Sequence, residues 1–450
     1  MAKVRAWEDD PQSEGAVTVE RPQPKLPGGP LALALDEPAP AARLYAPGTA
    51  KFRYWAAVDA LARGATFWSS ILPAGTTWQV GTTLPVHLDA GDKLNAFYTR
   101  TDLRFFHATV GGTTIYSGES PDVLCHELGH GILDAIRPQL WDAMSGEVAA
   151  FHESFGDMSA ILCALQEPAI REQAVAETGG ALYRSSRLSR MAEQLGWGVR
   201  QRQPCAAEGD CLRNAVNCFS YQPIKTVPIT APAVVLSSDP HSFSRIFTGA
   251  FFQMYAGMVV TLRRPPVAGD LLQASADAAR LLVAAVQAAP VVTDYFAQVA
   301  AHLLEADTAL FGGKYGDAIR LGFGGKGILS LPSGVAVAGA TGPAPAGAEL
   351  PTAAFAGADF GLDRPVVMRV PGQPRRLAAS AVATDGGPLA PEPAEAVAAG
   401  FLRELLLRGK VRLPGPASGG DDTDLEPVKT HALVDEGDHL AVARILVDEA

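Results

Sequence analysis

Apolar residues recur at helical spacing in several long stretches of this chain. In 49–70, Phe52, Trp55, Val58, Leu61 and Ala62 share one face. The same holds for Val148, Phe151, Phe155, Met158 and Leu162 in 147–166, and for Phe243, Ile246, Phe247, Ala250, Phe251 and Met254 in 239–261. Segments 268–289 and 292–309 read as two further helices, and 181–195 and 210–219 as short ones. Strand-like segments occupy 76–87, 94–99, 104–110 and 113–116, the last two flanking Gly111-Gly112 as a hairpin.

The later part of the chain changes character. Residues 332–351 are rich in Gly, Ala and Pro and read as a linker. Beyond it, 366–370 and 377–384 are strand-like, and Pro393 opens a helix that runs to Arg408 and stops at Gly409. Segments 428–434 and 440–447 then form a hairpin across Asp435-Glu436-Gly437-Asp438. The pattern predicts an α+β chain. Residues 1–48, dense in Pro and Gly, are an extended or partly disordered lead. An N-terminal lobe covers 49–137 and a mainly helical lobe 138–331. The linker at 332–351 leads to a small α+β accessory unit at 352–450, in which no catalytic constellation is visible.

The chemistry concentrates in Cys125-His126-Glu127-Leu128-Gly129-His130-Gly131. On a helix His126 and His130 are one turn apart and share a face, so both imidazoles reach one zinc ion. Glu127 then lies beside the metal as a general base. Pro138 ends that helix. On the next one, Glu153 and Asp157 are again one turn apart, close to an apolar stripe. Burying such carboxylates unpaired is expensive, and a zinc ion supplies the reason for them. Glu153 is the expected third ligand, and Asp157 the expected acceptor for the free ring nitrogen of a ligand histidine.

His-Glu-Leu-Gly-His followed by His-Glu-Ser-Phe-Gly-Asp resembles the thermolysin-type gluzincin metallopeptidases. The resemblance implies a thermolysin-like two-lobed catalytic core, roughly 50–330, that hydrolyses peptide bonds. It implies His126, His130 and Glu153 as zinc ligands, Glu127 as base and Asp157 behind the ligands. Asn95-Ala96-Phe97-Tyr98 is similar to the family's edge strand, whose Asn-Ala backbone holds an extended peptide. His241, just before a long helix, matches the family's oxyanion donor, and Arg213 its ligand for a substrate carbonyl. The chain departs from the family in two places. The loop 137–146 has no Tyr and offers only Trp141. No acidic cluster follows Asp157, so calcium is not expected.

Charge and composition narrow the partners. The formal net charge of −11 argues against nucleic-acid binding. The helix at 239–261 carries Arg245 and Gln253, which suits a buried helix better than a membrane span. No apolar segment of the secretory type follows Met1, and the five cysteines are odd in number and sparse, so a cytoplasmic setting is expected. A peptide or protein substrate is the expected partner. Two other readings remain open: a weak or inactive gluzincin-like protein that binds a peptide or protein, and a non-enzymatic scaffold with structural zinc. An intact Glu127 favours the enzyme, since a structural site has no use for a base.

Overall fold

The computed structural model describes residues 2–329, 349–373, 392–414 and 427–449. The fold is mixed α+β. Strands β1 (Lys3–Trp7) and β2 (Thr18–Pro22) form an antiparallel pair, and β3 (Ala32–Leu35) joins a larger sheet. The N-terminal lead, expected to be extended or partly disordered, therefore carries three strands. Val4 and Ala6 explain this, because both are fully buried against the next element, helix α1 (Ala50–Ile71). Thr49 caps α1 by accepting from the Phe52 backbone N–H.

Strands β4 (Thr83–His87), β5 (Ala96–Tyr98) and β6 (Leu103–Phe105) complete most of that sheet, and β7 (His107–Val110) and β8 (Thr113–Tyr116) make the expected hairpin. Helix α2 (Pro121–Ile136) follows. Ser120 caps it, Pro121 sits in its first turn, and Arg137, before Pro138, closes it. A short α3 (Gln139–Asp142) leads to α4 (Gly146–Ala164), capped by Ser145. Every residue of α4 from Gly146 to Cys163 is buried, which makes it the central rod of the molecule. Trp68 of α1 donates to the Ser159 hydroxyl of α4, which in turn donates to the Cys125 carbonyl of α2. This chain of hydrogen bonds locks three helices together.

Helix α5 (Pro168–Thr178) is followed by strand β9 (Arg190–Met191), helix α6 (Glu193–Arg202) and strand β10 (Arg213–Asn214). The short helices expected at 181–195 and 210–219 are absent. Leu182, Leu188 and Met191 are buried because a looping chain packs them on the core, so their spacing mimicked a helix. The remaining helices of this part are α7 (Pro240–Leu262), α8 (Ala268–Ala288), α9 (Tyr295–Phe311) and α10 (Gly316–Ile319). Asp239 caps α7 by accepting from the His241 backbone N–H.

The last part contains β11 (Thr352–Phe355), β12 (Val366–Arg369), α11 (Ala394–Leu407), β13 (Val411–Arg412), β14 (His431–Asp435) and β15 (Leu440–Arg444). Its sheet runs β11-β12-β15-β14-β13. The strand expected at 377–384 and nearly all of the linker at 332–351 lie outside the described residues. The unit's apolar core, which includes Phe401 and Leu402, takes in Met144 and Ala149 from beside and within α4. The hairpin expected to run through 440–447 ends at Arg444 instead. The chain then leaves the unit, and β16 (Val447–Asp448) pairs antiparallel with β5. The larger sheet is thus ordered β16-β5-β6-β4-β3, with the final strand at its edge.

Candidate metal centre and peptide cleft

Helices α2 and α4 approach closely at two glycines. A Cβ on Gly129 would meet Ser159 Cβ at 2.6 Å, and one on Gly156 would meet the His126 ring at 2.5 Å. This approach faces the motif of α2 onto the carboxylates of α4. The rings of His126 and His130 lie 4.7 Å apart between centroids. Glu153 Oε2 is 3.5 Å from His126 Nε2 and 3.9 Å from His130 Nε2. Ligands about 2.0–2.1 Å from a tetrahedral metal stand roughly 3.3 Å apart, so this spacing is close to that of one coordination sphere.

Polar satisfaction points the same way. His126 Nε2, both nitrogens of His130, both oxygens of Glu127 and Glu153 Oε2 are buried without a hydrogen-bond partner. Such a concentration of orphaned buried atoms requires an explanation, and a cation is one. His126, Glu127 and His130 each offer a ligand atom, all within 4.8 Å of one another. Burial, reinforced by the neighbouring imidazoles, pushes His130 well below its usual pKa and keeps it a neutral lone-pair donor. Burial also raises Glu127, and Glu449 and Glu153 add to the rise against the opposing effect of His126.

Asp157 stands behind His126, with Oδ1 3.2 Å from the ring Nδ1. Arg213 donates to the same oxygen through Nη2 at 2.9 Å and Nε at 3.1 Å, and Thr248 donates to Oδ2 at 3.2 Å. Burial would raise the carboxyl, but Arg213 and His126 outweigh it and hold Asp157 at about 2. An ionised Asp157 fixes the proton on Nδ1 and leaves Nε2 facing Glu153.

His241, at the start of α7, reaches the same place, with Nε2 3.5 Å from Glu153 Oε2. Its Nδ1 lies 3.1 Å from Asp239 Oδ1, and its Nε2 donates at 2.6 Å to the carbonyl of Asp448. Burial disfavours the imidazolium, yet Glu153, Asp239 and Asp448 raise His241 to about 10, so both ring nitrogens donate. On the opposite wall β5 is anchored to α2, because the Tyr98 hydroxyl donates to Asp134 Oδ2 at 2.9 Å. The structure therefore gathers His126, Glu127, His130, Glu153, Asp157, Asn95, Ala96, Arg213 and His241 around one centre. The ring of His152 lies beside the site, 5.8 Å from that of His130.

Sequence reasoning missed the residues that arrive from the end of the described chain. Glu449 N–H donates to both Asn95 Oδ1 and the Ala96 carbonyl at 3.1 Å. The Glu449 carbonyl accepts from Arg213 Nη1 at 3.1 Å, and its Oε1 from Nη2 at 2.7 Å. Glu449 Oε2 lies 2.8 Å from His126 Nε2, but the angle makes no hydrogen bond, and both atoms remain unpartnered. Burial works against charge on Glu449, and Arg213 with His126 overcomes it and keeps the carboxylate ionised. Beside this segment a cavity of about 500 Å³ opens between Asn95, Arg202, Arg213, His241 and Glu449. No local signal marks Glu449, which lies 354 positions from Asn95.

A second group of buried carboxylates lies at the N-terminal end of α2. Asp10, Asp122 and Glu193 bring ligand atoms within 4.8 Å of one another, and both Glu193 oxygens lack a hydrogen-bond partner. Burial and the carboxylates nearby raise Glu193 to about 10. Asp10 and Asp122 precede Asp157 in the chain, so an inspection of the residues after Asp157 could not find this group.

No protein-family model matches this chain, and no curated protein matches it. Among the described residues no helix is long and apolar enough to cross a membrane.

Proposed function

We propose that the protein is a zinc-dependent peptidase with a thermolysin-like two-lobed core formed by residues up to about 329. The observation that carries this reading is the set of orphaned, buried, facing atoms on His126, His130 and Glu153, with an unpartnered Glu127 beside them. His126, His130 and Glu153 would hold the metal. Bound zinc would acidify a water molecule and polarise the scissile carbonyl. Glu127, kept basic by its dry surroundings, accepts the proton of the attacking water and passes it to the leaving amine. His241 donates from Nε2 to the oxygen on which negative charge develops, and Asp239 on Nδ1 keeps the ring charged and oriented. Asn95, the Ala96 carbonyl and Arg213 hold the extended backbone of the substrate. Asp157 positions His126 and balances Arg213.

A specific observation favours a second reading, a closed structural zinc site. Glu449 would add a fourth ligand beside His126, and β16 covers β5. The two readings separate in one assay. A fluorogenic peptide library incubated with the zinc-loaded protein and with its Glu449→Ala variant should be cleaved by at least the variant, and a zinc chelator should stop the cleavage. No hydrolysis by either zinc-replete protein would leave the structural reading.

A further inference from the structure

Strand β5 is where an extended peptide would bind, and the chain already fills that place. Val447 pairs with Tyr98 and Asp448 with Phe97 in antiparallel register. The N–H of Glu449 is held twice, by Ala96 and Asn95, while Arg213 grips its carbonyl. His241, the donor for a reacting carbonyl, is spent on the carbonyl of Asp448. The Asn95 and Arg213 side chains, the Ala96 carbonyl and the His241 ring, all assigned above to substrate, are engaged by Asp448 and Glu449. The Glu449 carboxylate also stands against His126 Nε2, where an incoming water or carbonyl has to be. Lys410 fixes the neighbouring Asp448 side chain from the accessory unit at 3.1 Å.

We propose that the segment 445–449 is a built-in occupant of the peptide cleft, so that the accessory unit holds the enzyme closed by presenting its own strand as a substrate mimic. The proposal rests on the peptidase reading for its consequence and on the pairing of β16 with β5 for its geometry. It assigns a role to the accessory unit. It also defines what the cleft takes: an extended, antiparallel strand with an acidic side chain over the Arg213 guanidinium. Opening requires the strand to peel from β5, which breaks the pairing of two residues, the contacts of Asp448 with His241 and Lys410, and the contacts of Glu449.

The test compares wild type with Glu449→Ala and with Val447→Pro/Glu449→Ala, since Pro removes a backbone N–H and breaks the pairing. The probe is a fluorescein-labelled, end-capped peptide that copies residues 444–449, followed by fluorescence anisotropy. Hydrogen exchange at Tyr98, which pairs with Val447, is read in parallel. The variants should bind the peptide at least about 10-fold more tightly than wild type, and exchange at the Tyr98 amide should accelerate. Hydrolysis of a fluorogenic peptide should rise by at least about 10-fold. If the double variant fails to fold by circular dichroism, the single variant gives the same comparison. Equal peptide binding by wild type and variants, or unchanged exchange at the Tyr98 amide, would overturn the proposal. So would an intact mass showing wild type cut after Asp448, since the segment would then be a substrate. Increased binding and exchange with no hydrolysis in any protein would support the occupied cleft and remove the peptidase reading instead.

Discussion

Asp157 illustrates how much one buried carboxylate does in this site. It accepts from His126 and Arg213 at once, and removing its charge leaves Arg213 partly uncompensated in a dry environment. Asp157→Asn keeps the shape and should weaken zinc binding by about 10–100-fold, measured by competition with a chelator. Unchanged affinity would reduce Asp157 to a structural partner of Arg213. Gly156 makes a complementary case, because its lack of a Cβ lets the His126 ring stand where it does. Gly156→Ala should destabilise the fold by about 1–3 kcal/mol through overpacking and displace the ring, so both the urea midpoint and zinc affinity should fall. His126, Glu127, His130, Glu153 and Asp157 were legible in the sequence because their relations are local, set by helical spacing. Glu449, Asp10 and Thr248 were not, since only the tertiary fold brings them to α2 and α4.

At the scale of elements, the long amphipathic helices were legible and the two-residue strands were not. Helices α1, α7 and α8 repeat their apolar residues over five or more turns, whereas β9, β10 and β16 are too short to leave a period. The strand β5 was found from Asn95-Ala96-Phe97-Tyr98, but its partner β16 could not be. Helix α4 also shows what burying a whole helix costs. Glu147, in its first turn, accepts from the Phe296 N–H and the Tyr221 hydroxyl. Burial, which those two bonds only partly offset, raises Glu147 from 4.5 to about 8. The folded state therefore holds a proton that the unfolded chain has lost between those values, and stability falls as pH rises through that window. Asp294, which is close by and raised to about 7, adds to the same slope. Urea unfolding at pH 5 and pH 8 should show lower stability at pH 8, and Glu147→Gln should reduce the difference. An unaltered difference in Glu147→Gln would assign the slope to other groups.

At the scale of the molecule, the accessory unit is tied to the rest by apolar packing and by polar contacts. Phe401 lies in a core that includes Met144 and Ala149, and Arg408 donates to the Ile229 carbonyl and to Ser238. Phe401→Ala should cost about 3–5 kcal/mol by removing a large buried ring at that junction. A loss below about 1 kcal/mol in urea unfolding would mean that the junction contributes little. The docking also places β16 against β5.

A peptidase of this kind requires Glu127 to act as a base in a metal-loaded site. Wild type and Glu127→Gln are brought to the same zinc content, and hydrolysis of a fluorogenic peptide is measured in both, with Glu449→Ala as the background in case the cleft is closed. Glu127 is not required to hold the metal, so zinc and fold should persist in the Gln variant. Its amide cannot accept a proton, so cleavage should fall by at least about 10²-fold. Equal rates at equal zinc content would contradict the peptidase assignment.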